Sequence, residues 1–238
     1  MIFVRRAFDR EHAGSYTWLV RTLPAMTLAL MSGFIIMVLE IVGARFLARD
    51  FGNTLHVWTA QIGVVLIALA FGYALGGRLV DRLPSSAPLS ALLVPAGIWL
   101  LLTPVFAPRL MEWIVDRHPR GAPIPPLWMK LDPILGSLSV FLVPCIALAA
   151  LSPAMIRLGA RRMETLGRTS GQIIAANTLG SIAGVFLAGF VLIEHWRLSQ
   201  IFVSMGILTL LLGAACLGGD RWFASSTSHA SPRTPNHV

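Results

Sequence analysis

Six runs of about twenty apolar residues follow one another along the chain, separated by polar segments. Each is long enough to cross the hydrocarbon core of a bilayer as a helix, the one open-ended element that satisfies its own backbone there. The pattern predicts spans over Pro24–Ala44, Leu55–Leu79, Pro88–Phe106, Pro133–Ile156, Gln172–Ile193 and Leu198–Leu217. The expected fold is an all-α integral membrane protein, a six-helix transmembrane bundle filling residues 23–217. Residues 1–22 read as a cytoplasmic leader lying on the membrane surface, with Ile2, Phe3, Val4 and Phe8 on its apolar side. Residues 218–238, rich in Ser, Thr and Pro towards the end, read as a disordered cytoplasmic tail. The long connection is Ala107–Asp132. Pro108 marks the expected start of a separate interfacial helix there, with Leu110, Met111, Ile114 and Val115 on one side.

Small residues recur every four positions in two spans: Ala68, Gly72 and Gly76 in the second, Ala176, Gly180, Gly184 and Ala188 in the fifth. Such ridges let helix backbones approach, which replaces the hydrophobic drive that lipid removes. They fit packing inside the bundle or a seam between two copies. Gly213 lies off any such ridge. Ala60-Gln61-Ile62-Gly63 also resembles Ala176-Asn177-Thr178-Leu179-Gly180, each run falling in the middle span of its half. With three spans per half, a repeat on this match would be two inverted three-helix repeats, as in many transporters.

Charge adds an orientation. The net charge is +8, and Lys130 is the only lysine. In a soluble domain this would point to nucleic acid, but here the arginines punctuate the spans, so topology and anionic lipids account for them. With the N-terminus inside, twelve basic residues fall on the inner side and seven on the outer. This bias places both termini in the cytoplasm, in the plasma (inner) membrane. Cys145 and Cys216 both sit inside spans and read as free thiols.

Glu40 is the candidate for chemistry, because a carboxylate within a span is costly and marks a functional site by default. Gly33, Gly43 and Ala44 share its helix face, so another helix can come close. It reads either as the anchor of a cationic ligand, with Gln61, Tyr73 and Asn177 as neighbours, or as the partner of Arg45 or Arg49 in an ion pair that fixes the bundle. Ser152, Thr178 and Ser181 are further polar groups able to face it. Arg78, Asp81 and Arg82 have the spacing of ion pairs bracing a helix end. His56, His118 and His195 lie near carboxylates, but no i, i+4 ligand pair supports a metal site, and none is expected. No nucleophile elbow, phosphate loop or His-Glu-x-x-His motif occurs, so neither catalytic residues nor a cofactor is expected.

Four segments together resemble the membrane domain of the spermidine-synthase-like membrane proteins, a facilitator-like domain fused to a spermidine synthase domain. They are Ser32-Gly33-Phe34 through Glu40 to Ala44-Arg45; Gly72 through Gly76-Gly77-Arg78 to Asp81-Arg82; Ala150-Leu151-Ser152-Pro153 with Arg157; and Gly171 through Ala175-Ala176-Asn177-Thr178-Leu179-Gly180 to Gly189-Phe190. The resemblance covers most of residues 30–215 and implies an all-helical bundle. The residues that hold the aminopropyl donor and the diamine have no counterpart here, so aminopropyl transfer does not carry over. The expectation is a non-catalytic membrane module that binds a small cationic or polyamine-like ligand, recruits a partner protein, or both. Two rivals stand beside it: a small-molecule transporter working as a dimer, and a structural subunit of a larger membrane complex. Membrane lipids, a second copy and a separate soluble synthase-like protein are the partners these readings require. Nucleic acid is not among them.

Overall fold

A computed structural model describes the backbone of residues 2–83, 85–118, 124–159 and 163–224, and the side chains of residues 22–83, 85–118, 124–159 and 166–219. Among these residues the regular structure is all helical: α1 Ile2–Phe51, α2 Leu55–Arg82, α3 Ala87–Asp116, α4 Trp128–Ala149, α5 Leu151–Gly159, α6 Met163–Leu187, a π-turn over Ala188–Leu192, α7 Ile193–His195 and α8 Leu198–Ala224. α4 and α5 form one span broken at Ala150. α6, the π-turn and α7 form another. Six helical stretches are long and apolar enough to cross a membrane, and the protein is an integral, multi-pass membrane protein.

Several boundaries differ from those the sequence suggests. α1 runs unbroken through Pro24, so the leader continues the first span. α3 likewise runs through Pro95, Pro104 and Pro108, and no separate interfacial helix begins at Pro108. Met111 and Ile114 are buried in the core, so this segment prolongs the third span. α8 continues to Ala224, which makes residues 218–224 helical. The rest of the expected tail, from 225 onward, lies outside the described residues. The tight α1–α2 connection needs Gly52, whose φ of 82° lies in the left-handed region that favours glycine.

Three helix pairs build the bundle: α1 with α6, α2 with α4, and α3 with α8. α1 and α4 also touch one another and are the most enclosed spans. Both sequence ridges lie in these seams. A Cβ on Gly180 would stand 1.9 Å from the Leu30 carbonyl oxygen, and one on Gly184 2.5 Å from that of Phe34. A Cβ on Gly72 would stand 2.5 Å from the Ile146 oxygen, and one on Gly76 2.1 Å from that of Ala150. Ala188 is fully buried behind Gly184, at the first position of the π-turn.

These contacts repeat. α6 rests two glycines four residues apart on two carbonyls of α1, also four apart; α2 does the same on the span formed by α4 and α5. In the third pair Gly97 meets Gly206 and Leu210, while Gly206 meets Gly97 and Leu101, a reciprocal arrangement. At the crossing of α1 and α4 the Ser32 hydroxyl donates to the Leu148 carbonyl at 2.7 Å. Exchanging the first three spans for the last three maps every one of these pairings onto another or onto itself. Three spans is an odd number, so the two halves run in opposite directions through the bundle, the arrangement of an inverted repeat.

The register differs from the one suggested by Ala60–Gly63 and Ala176–Gly180. The packing instead aligns Gly63, Ala68, Gly72, Gly76 and Leu79 with Gly171, Ala176, Gly180, Gly184 and Leu187. It also aligns Leu89–Leu102 with Leu198–Leu211, where seven of fourteen residues are identical. In the same way Gly43-Ala44-Arg45 matches Gly159-Ala160-Arg161. Gly213 is not free of packing either. It lies against Leu93 and Val94, with a Cβ contact of 3.1 Å, in the α3–α8 seam.

Candidate functional site

Two groups of polar side chains inside the bundle lie along α1, each where a glycine lets a neighbour in. At Gly33 a Cβ would meet the Asn177 side-chain oxygen and the Ser181 hydroxyl, both at 2.8 Å. Asn177 Oδ1 also accepts a hydrogen bond from the Ser152 hydroxyl at 3.1 Å, just past the helix break at Ala150. At Gly43 a Cβ would meet the Gln61 amide nitrogen at 2.3 Å. Gln61 is fully buried, and its Oε1 accepts from the Ser137 hydroxyl at 2.7 Å. Its Nε2 donates to no one among the described residues. A buried amide donor without an acceptor is costly, so this amide is a group that a ligand or a water can complete.

Glu40 stands between these two stations. Gly43 and Gln61 lie less than one turn beyond it. Gly33 and Asn177 lie two turns before it, about 10 Å along the axis at the usual helical rise. Its side chain is partly buried and close enough to Cys145 on α4 to interact electrostatically. It forms no ion pair among the described residues. Arg45 and Arg49 are both exposed, and neither forms the expected pair with Glu40. The reason is geometric: Arg45 lies over a helical turn closer to the helix end, and its long side chain reaches water more easily than a carboxylate within the bundle.

Of the four residues proposed to hold a ligand, Gln61 and Asn177 flank Glu40 along α1. Tyr73 stands apart on the exposed side of α2, 43% accessible. Thr178 turns back onto its own helix and donates to the Ile174 carbonyl at 3.0 Å. The ion-pair set at the end of α2 also differs from expectation. Asp81 Oδ1 accepts from Arg157 Nε of α5 at 3.1 Å, while Arg78 and Arg82 make no ion pair among the described residues. Packing of α2 on the α4–α5 span brings Arg157 across the seam. Both partners are about two-thirds exposed, so the pair adds little stability.

A second polar cluster, not anticipated from the sequence, closes the opposite end of the bundle. Asp132, 4% accessible, accepts from Arg117, and its other oxygen lies 2.7 Å from His118 Nε2. The Arg117 guanidinium also stacks over Trp128, 4.4 Å from the ring centroid. This cluster ties the end of α3 to the start of α4 across the long connection. His118 is thereby engaged with Asp132, and no group of three metal-ligating side chains occurs among the described residues.

The arrangement places along α1 one unpaired carboxylate, an unsatisfied amide donor less than a turn away, and an Asn–Ser pair two turns in the other direction. Comparison with protein-family models, with curated proteins and with solved structures finds no match to this chain.

Proposed function

We propose that the protein is a non-catalytic membrane module that binds a small cationic, polyamine-like ligand at Glu40. The supporting observation is the unpaired, partly buried carboxylate of Glu40, standing between two groups of polar side chains along α1. A charge held there without a protein partner is a standing cost that a cationic ligand would offset. The polyamine class rests on the resemblance to the membrane domain of spermidine-synthase-like proteins. In this reading both termini face the cytoplasm, as the arginine bias suggests. Reporters placed at Gly121 and Val238 should then label on opposite sides of the membrane, and labelling on one side would refute the orientation.

Glu40→Gln keeps the shape of the side chain and removes its charge. With no arginine left unpaired, the variant should melt within about 1 kcal/mol of the parent in detergent. The parent should melt higher in spermidine, and the variant should lose most of that shift. An equal response to spermidine in both proteins would end the ligand reading of Glu40.

A second reading, a transporter working as a pair of copies, is supported by the inverted packing of the two halves. Inverted repeats allow a bound solute to be offered to either side by rocking one half against the other. Its test is uptake of labelled spermidine by reconstituted vesicles, abolished by Glu40→Gln.

A further inference from the structure

A groove of about 300 Å³ opens at the same end of the bundle as the Arg117–Asp132 cluster. Two arginines line it, Arg49 near the end of α1 and Arg197 just before α8. Its other walls are apolar, with Phe46 and Phe202 buried deeper in the bundle and Pro104 and Pro108 on α3. Neither arginine forms an ion pair among the described residues. Asp50 interacts electrostatically with Arg49 but lines a separate cavity, with His56 and His118. α8 begins at the groove. The amides of Leu198 and Ser199 lack acceptors within their own helix, as the first amides of any helix do, and both residues line the groove. Ser199 also lines a second groove of about 410 Å³, together with Trp196.

We propose that this groove is a binding site for a phosphate-bearing anion, its head held by Arg49, Arg197 and the start of α8. Guanidinium groups bind phosphate through paired, charge-assisted hydrogen bonds, and a helix start adds amides and a favourable dipole. The apolar walls below and Trp196 beside the groove suit a head attached to acyl chains at the bilayer interface. The inverted repeat provides a control within the molecule. The positions equivalent to Arg49 and Arg197 in the other half are Thr165 and Pro88, so the repeat alone does not demand two arginines here. The source of the anion is a phospholipid head or free phosphate from solution, and the chemistry at the arginines is shared.

The test uses the full chain in a neutral detergent, titrated separately with short-chain phosphatidylglycerol, short-chain diacylglycerol and inorganic phosphate. Phosphatidylglycerol should bind saturably, and diacylglycerol should not. The double substitution Arg49→Gln with Arg197→Gln should weaken binding at least about tenfold, the scale of one lost charge-assisted contact. Arg109→Gln, an exposed arginine that does not line the groove, should leave binding unchanged. Saturable binding of inorganic phosphate with the same dependence on the two arginines would assign the site to a free anion. The proposal falls if both ligands bind the double variant as they bind the parent, or if diacylglycerol competes as well as phosphatidylglycerol. Should the double variant fail to purify, Arg197→Gln alone should still weaken binding at least about threefold. Native mass spectrometry of the parent adds an independent reading: a retained phospholipid is expected, and a protein that carries none and binds neither probe refutes the site.

Discussion

Gly180→Ala and Gly76→Ala should each severely destabilise the protein, although each adds a single methyl group. The new carbon would stand 1.9 Å from the Leu30 carbonyl oxygen in one case and 2.1 Å from that of Ala150 in the other. Both obstacles are backbone, so no side chain can swing away, and the helices must separate. Overpacking of a core commonly costs 1–3 kcal/mol, and a clash with helix backbone should reach about 3 kcal/mol or exceed it. Gly63→Ala and Gly171→Ala are the matched controls, for a Cβ at either position meets nothing within 4 Å. Alanine is the better helix former by up to about 1 kcal/mol, so these variants should melt no lower than the parent. Melting of all four in one detergent decides the matter. Similar losses at the four sites would mean that the seams do not set stability. A loss at Gly180 but not Gly76 would refute the equivalence of the two halves.

The second large effect is expected at Asp132. Replacing it by alanine removes the acceptor shared by Arg117 and His118 and leaves a guanidinium close to buried surface. Breaking a fully buried pair costs ~3–5 kcal/mol, but the Arg117 side chain is 29% accessible and can turn towards water. About 2–3 kcal/mol is the expected loss. Asp132→Asn should lose nearly as much, because the amide keeps the shape but not the charge. Arg117→Ala should cost less, since Asp132 retains His118. A melting temperature for Asp132→Ala equal to that of the parent would show that the cluster contributes nothing to holding the long connection.

The number of spans and the two glycine ridges were legible because each rests on a property local to one helix, its apolar length or a spacing of four. What a ridge packs against is not local. Nothing in Gly72 and Gly76 says that they meet α4, or in Gly180 and Gly184 that they meet α1. The α3–α8 seam escaped notice because each helix brings only one glycine to the crossing, Gly97 or Gly206, and leucines do the rest. Pro108 was misread because a proline often opens a helix. Here it lies inside a helix that already runs through Pro95 and Pro104. The repeat was visible at the level of spans, but its register was hidden by a short chance match around Gln61. Glu40 stood out as a charge in an apolar run. Asp132 did not, because it borders a polar connection and its partners lie on another helix.

The inverted packing also bears on how the chain assembles as it is made. The ridge of α2 faces α4, which leaves the ribosome only after α3 and the long connection. The ridge of α6 faces α1, a span made well before it. Neither the leading nor the trailing three helices can therefore complete their seams alone, since each half carries the surfaces that the other lacks. An interrupted chain ending near Asp116 would expose Gly72, Gly76 and the Gly97 face of α3 to lipid with nothing to cover them. Quality control that recognises unpaired small-residue faces would find such a product incomplete, whereas entry of α4, α6 and α8 closes the three seams one after another.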